Sequence, residues 1–163
     1  MPKHSAGLLV YRRQGGKLEV LLEHPGGPFW ANKDEGVWII PKGEYDNEDA
    51  LEAAKREFRE ELGQSPPRGE YQELGEVKAG NKINKIWAVE GNVDTANVKS
   101  NTFELEWPPK SGRTQKFPEV DRAEWFDLAT AKRKLRASQL EFLVRLEKFL
   151  DINPASTAPP SLF

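Results

Sequence analysis

The chain of 163 residues contains no cysteine, one methionine and only two histidines, His4 and His24. Without cysteine there are no disulfides and no thiolate chemistry, and a zinc site of the Cys/His kind has almost no ligands to draw on. Any metal bound here is therefore held by oxygen. Long apolar runs are missing too: the N-terminal "MPKHSAGLLVYRR" is broken by Tyr11, Arg12 and Arg13, too soon for a membrane span or the core of a signal peptide. Neither sign of charge dominates, with 24 basic and 26 acidic residues and a net charge of -2. There is no global attraction to nucleic acid or to a membrane surface, so any anion must be met locally. The expectation is a cytoplasmic protein with no DNA and no membrane partner.

What is present is enough for a folded domain: 37% hydrophobic residues, 10% aromatic, five of them tryptophan. One domain is expected over residues 1–150, followed by a Pro/Ala/Ser-rich tail, 151–163, expected to be mobile unless Leu162 and Phe163 dock. "SAGLLVYRR" and "KLEVLLE" read as strands joined by a hairpin at Gly15 and Gly16. "HPGGPFWANKDEG" reads as a loop, and "VWII" as a buried strand ended by Pro41. Between Asn47 and Leu62 the period changes: Leu51, Ala54, Phe58 and Leu62 form one helical stripe, with Gly63 as the C-terminal cap. Beyond it, "YQELGEVKA", "NKIWAVEG", "NTFELEW" and "VDRAEWFDL" are strand candidates, and "ATAKRKLR" and "QLEFLVRLEKFL" are helical. A mixed sheet packed between helices follows, an α/β architecture. Trp38, Trp87 and Trp125 lie in strand-like runs and are expected in or near the core. His4 and His24, with no visible partner, are assigned surface or strand-end roles.

The helix carries a second, acidic stripe. Glu57, Glu60 and Glu61 crowd its final turns, where the backbone dipole and the i,i+4 repulsion between Glu57 and Glu61 together cost about 1 to 2 kcal/mol unless a cation offsets them. A solvated surface face balanced by Lys55, Arg56 and Arg59 is the ordinary explanation. Ala50 and Ala53, on or beside that face, instead let another segment pack close and turn the carboxylates into a cleft wall. Arg56, with Glu52 and Glu60 four residues away and Glu57 beside it, is placed to hold the group in register. Clustered carboxylates suit Mg²⁺ or Mn²⁺, which take oxygen ligands and bridge to substrate phosphates.

"PKGEYDNE" and "REFREELG", residues 41–48 and 56–63, resemble the Nudix box of Nudix hydrolases: a glycine, five residues, a glutamate, seven residues, then Arg-Glu-apolar-x-Glu-Glu-x-Gly. Glu48 stands eight positions before Arg56, as that pattern requires. Two departures are visible. Gly43 lies five positions before Glu48 instead of six, so either the loop is one residue shorter or Asp49 takes the first acidic position, and Gln64 stands where an apolar residue closes the box.

The resemblance implies a Nudix-type α/β/α sandwich with a mixed central sheet. It also implies hydrolysis of a diphosphate linkage in a nucleoside diphosphate joined to another moiety, with Mg²⁺ or Mn²⁺ as cofactor. Glu57, Glu60, Glu61 and Arg56 would be catalytic, and Gly43, Glu57, Glu60 and Glu61 would hold the metal. Family members differ in their general base, which leaves Glu104, Glu106 and Glu119 as weak candidates. For substrate binding, Lys42 adjoins the box in a Pro-Lys-Gly similar to that of relatives that cleave dinucleoside polyphosphates or diphosphoinositol phosphates. The stretch "WPPKSGRTQK" offers Trp107, Lys110, Arg113 and Lys116 as a stacking surface with phosphate contacts, a plain basic loop being the equal alternative. The loop "HPGGPFWANKDEG" offers Trp30 and Lys33 to the same cleft, a glycine-rich surface turn being the equal alternative. The partner implied is a small phosphoanhydride, a dinucleoside polyphosphate or a nucleoside triphosphate. A homodimer rests on family habit alone. A second expectation, from another class, is a catalytically silent Nudix-fold module that binds a nucleotide as a sensor.

Overall fold

A computed structural model describes residues 1–152, so the tail beyond, with Leu162 and Phe163, lies outside the described residues. Strands β1 (Lys3–Gln14) and β2 (Lys17–Pro25) form the expected hairpin, with Gly15 and Gly16 at φ of 60° and 81°. Glycine reaches such angles at no steric cost, because it has no Cβ. The other strands are β3 (Lys42–Glu44), β4 (Gln72–Ala79), β5 (Lys82–Glu90), β6 (Thr102–Glu106), β7 (Thr114–Pro118) and β8 (Val120–Asp127). Helices α1 (Ala50–Leu62), α2 (Leu128–Lys134) and α3 (Leu140–Ile152) complete the chain.

The main sheet runs β4-β5-β1-β2-β8, with β3 added to β1, and it is mixed because β1 pairs β5 in parallel and every other pair is antiparallel. Both faces of β1 are covered, so its alternate residues enter two cores. Leu9 and Tyr11 join Trp38, Phe142 and Leu146 on the α3 side, and Leu8 and Val10 join Ala54, Phe58 and Leu62 on the α1 side. The result is the α/β/α sandwich with a mixed central sheet. Trp38 is 1% exposed and Trp87 7%, and Trp125 packs at the margin.

Three local expectations change. "VWII" is buried but is not a strand: Trp38 bridges Leu135 and Ile39 bridges Glu23 singly, and the Ile40 N–H goes to the Gln139 Oε1 at 2.8 Å instead of to a ladder. The stretch 107–116 is not all loop, because β7 begins at Thr114 and pairs β6 in a separate two-stranded sheet. Helix α1 starts at Ala50 rather than Asn47, since the Asp49 side chain accepts the Glu52 N–H and caps it. Gly63 ends it in the left-handed region, φ 70°. Gln64, the polar residue at the close of the box, fastens the helix end by exchanging hydrogen bonds with the backbone of Asp94 (2.7 Å to its carbonyl and 3.1 Å from its N–H).

Candidate metal and substrate site

Arg56 is the hub of the acidic face. Its Nε and Nη2 donate to the Glu48 carboxylate, the shortest contact 2.7 Å, and its Nη1 donates to Glu57 at 2.8 Å and Glu60 at 2.9 Å. One planar guanidinium thus offsets the repulsion that the sequence predicts at this helix end. Glu52, expected among its partners, pairs with Lys55 at 3.6 Å instead. The ambiguity over the short loop is also resolved geometrically, since Glu48 grips Arg56 and Asp49 serves as the cap.

The three helix carboxylates do not share one environment. Glu60 is the most open, and Asn101, on the strap of chain that leads into β6, reaches it, donating its backbone N–H to the Glu60 carbonyl at 3.0 Å. Glu57 presses on Gly43: a Cβ there would fall 2.0 Å from Glu57 Oε1, so the glycine lets strand and carboxylate meet. Glu61 points inward, 9% exposed, and its Oε1 accepts the Lys42 N–H at 3.1 Å. Burial pushes its carboxyl up to about 8, with a further rise from Glu57, and burial likewise raises Glu57. Lys42 is partly buried. Its ammonium is lowered by burial first and then by repulsion from Lys82, with Glu61 pulling the other way.

Of the three weak candidates for a base, Glu119 is the one brought to the cluster, where its charge raises both Glu57 and Glu61. It sits between β7 and β8, held by an N–H to Asn101 and a carbonyl that accepts from Gly26. Glu104 and Glu106 lie exposed on β6, the latter accepting from the Gly112 N–H. Trp107, Lys110 and Arg113 are on the β6–β7 hairpin, with the Trp107 ring edge-on to Phe29 at 5.7 Å. No hydrogen bond or ion pair among the described residues ties them to the acidic helix. Trp30 carries Lys33 and Arg136 over its ring at 5.3 and 5.5 Å.

Two residues escaped sequence reasoning. His24 is at a strand end but fully buried, with Nδ1 2.9 Å from Asp121 and Nε2 2.7 Å from the Lys33 carbonyl, so it pins the glycine-rich loop; the absence of a nearby partner in sequence concealed this. Glu23, on β2, is fully buried, and its carboxyl is raised well above the ordinary range by burial first and then by Glu61. A signal for it existed: strand alternation places Glu23 on the face of Leu21, which is core.

The chemistry of this donor set fits a hard divalent ion, since every candidate ligand is a carboxylate or carbonyl oxygen and buried carboxylates are crowded at the end of the helix. The carboxylates are not pre-assembled around a point: among the described residues no group of three or more His, Asp or Glu forms a ready cage. Arg56 occupies one oxygen each of Glu57 and Glu60. Glu57 Oε1, on the Gly43 side, makes no such contact.

A model of the NUDIX domain matches residues 1–146. The chain belongs to the Nudix family. Among solved structures it is similar to a C. elegans Ap4A hydrolase in a binary complex, with 26% identity, coverage of 91% of this chain and 98% of that one, and a TM-score of 0.62. The NUDIX domain of Shewanella oneidensis NrtR, complexed with ADP ribose, shares the fold at 17% identity, 92% and 89% coverage and a TM-score of 0.63. So does a MutT/nudix family protein from Enterococcus faecalis, at 15% identity, 96% and 66% coverage and a TM-score of 0.67. No curated protein matched significantly. In this Nudix chain no helix among the described residues is long and apolar enough to cross a membrane.

The buried acids give a pH dependence. Below about pH 4.5, the ordinary value of a glutamate, folded and unfolded chains both hold these protons. As pH rises towards about 8 the unfolded chain releases them first, so the folded state binds more protons and stability falls. The metal-free protein should therefore lose Tm steadily between about pH 5 and pH 8, by roughly 2–4 °C for each kcal/mol lost. Thermal melts across that range check it, and a flat or rising profile would contradict the burial of Glu23 and Glu61.

Proposed function

We propose that this Nudix chain is a divalent-metal-dependent hydrolase of a phosphoanhydride linking a nucleoside diphosphate to another moiety, with a dinucleoside polyphosphate as substrate and a nucleoside triphosphate next in order. What carries the reading is the Arg56 hub, which holds Glu48, Glu57 and Glu60 together while Glu57 presses on Gly43 and Glu61 lies buried beside Lys42. The near full-length likeness to an Ap4A hydrolase supports the substrate class. Glu57, Glu60, Glu61 and the Gly43 carbonyl are the residues that would hold Mg²⁺ or Mn²⁺. Such an ion, when bound, neutralises phosphate charge and lowers the pKa of a bound water.

The protein supplies the rest. Arg56 would fix the carboxylates, Lys42 would meet phosphate charge, and Glu119, whose charge reaches Glu57 and Glu61, would accept a proton from water. Trp107, Lys110 and Arg113 on the hairpin, with Trp30 and Lys33 on the facing loop, would bind the nucleoside and the distal phosphates. The loop between Gly43 and Glu48, one residue shorter than the family pattern, favours one other reading, a silent nucleotide-binding sensor. A panel of nucleotide sugars, dinucleoside polyphosphates, nucleoside triphosphates and inositol pyrophosphates, run with and without Mg²⁺ and with products identified, separates the two. Cleavage of dinucleoside polyphosphate only with the ion is the expected result. Binding without turnover across the panel would establish the sensor.

A further inference from the structure

Strand β2 sends alternate side chains to opposite faces. Leu21 enters the core beneath α1, and two residues on, facing the same way, stands Glu23. Its backbone is fixed on both sides, since its N–H donates to the Ile39 carbonyl and its own carbonyl accepts the Ile39 N–H, each at 2.9 Å. The side chain is therefore aimed by the sheet and not by a mobile loop. It is 0% exposed, and neither of its carboxylate oxygens accepts from an N–H or hydroxyl among the described residues; what faces it is the carboxyl of Glu61, an acid set against an acid.

This arrangement has no structural benefit. A buried carboxylate without partners costs several kcal/mol or forces the group to hold a proton, and unsatisfied buried acceptors are rare in folded proteins. Opposite Glu23 on β8 is Ala123, itself core, so Val or Leu at position 23 would suit the neighbourhood better. The charged groups acting on Glu23 are Glu61 and Glu57 on α1 and Lys42 on β3. Lys42 forms no ion pair with it. Two of these three are residues that the proposed function assigns to the cation, and Glu61 already accepts from the backbone of Lys42.

We propose that Glu23 is a further carboxylate of the divalent-cation site, entering from the sheet and acting with Glu61 from the helix. The inference rests on the metal-dependent reading above. It makes the site a structure of two layers, in which the ion would satisfy carboxyl oxygens that the protein otherwise sets only against one another. It also accounts for the presence of an acid at a position that strand alternation commits to the core.

The test is binding of Mn²⁺ alone to the full chain, without substrate, by calorimetry and by the paramagnetic signal of free Mn²⁺, in wild type, Glu23→Gln and Glu23→Val. Glu23→Gln keeps the shape and removes the charge, and Glu23→Val removes every oxygen. Both variants should lose affinity by about 10–100-fold, with a metal-free Tm equal to or above that of wild type. Unchanged Mn²⁺ affinity in both folded variants overturns this proposal and leaves the metal-dependent reading standing. Failure of wild type to bind Mn²⁺ overturns both.

Discussion

Glu61→Gln should lower kcat for dinucleoside polyphosphate cleavage in Mg²⁺ by roughly 10²–10⁴-fold, the range set by loss of a positioned catalytic group. Glutamine preserves volume and one acceptor oxygen, so the Lys42 N–H at 3.1 Å keeps its partner and the Lys42–Glu44 strand stays on β1. What disappears is the charge, at the most buried of the three helix carboxylates. The sign of the stability effect is opposite to that of the activity effect. Ionised Glu61 is held in place against a raised pKa, so a neutral side chain should leave the metal-free Tm unchanged or higher at pH 8. Steady-state rates and melts on one preparation therefore separate a chemical role from a structural one. A variant that retains activity within a few-fold of wild type would remove Glu61 from the mechanism.

Arg56→Lys should be the second most damaging change, with kcat reduced by about 10–100-fold, the usual loss when a group that orients metal ligands is removed. The substitution keeps a positive charge. It cannot keep the geometry, because Arg56 serves three carboxylates with three different nitrogens and an ammonium is a single point. Glu57 and Glu60 would be freed to repel one another. The stability cost should be small, since the guanidinium is about one-third exposed and ion pairs at that exposure contribute roughly 0–1 kcal/mol. The expected pattern is lower kcat, weaker response to Mg²⁺ and a nearly unchanged Tm. Full activity in Arg56→Lys would mean that the carboxylates find their places without the fork.

Lys42 and Arg56 illustrate two kinds of legibility. Arg56 and its glutamates are local: four residues or fewer separate Arg56 from Glu57 and Glu60, so helical spacing alone brings them together, and even the reach back to Glu48 spans only eight positions. The hairpin at Gly15–Gly16 and the caps at Asp49 and Gly63 are local in the same sense, because a turn or a helix end is decided by φ, by a side-chain oxygen and by little else. Lys42 was visible only as the neighbour of a motif. Its closeness to Glu23 depends on strand β3 joining β1 while Ile39 bridges β2. "VWII" misled for a related reason: a buried apolar run looks the same as strand or as irregular chain until its hydrogen-bond partners are known.

From its sequence this protein was legible as a chain with only oxygen ligands to offer a metal, with an acidic helix end organised by an arginine and a sheet between helices, because absent cysteines, period and spacing act within a few residues. The tertiary structure decided which acids matter together. Glu23 and Glu61 are 38 positions apart, and Glu119 lies 58 beyond Glu61. Only the pairing of β2 with β8, the packing of α1 across the sheet and the strap at Asn101 bring their charges within mutual reach. Burial and like-charge repulsion are properties of that assembly and of no single segment.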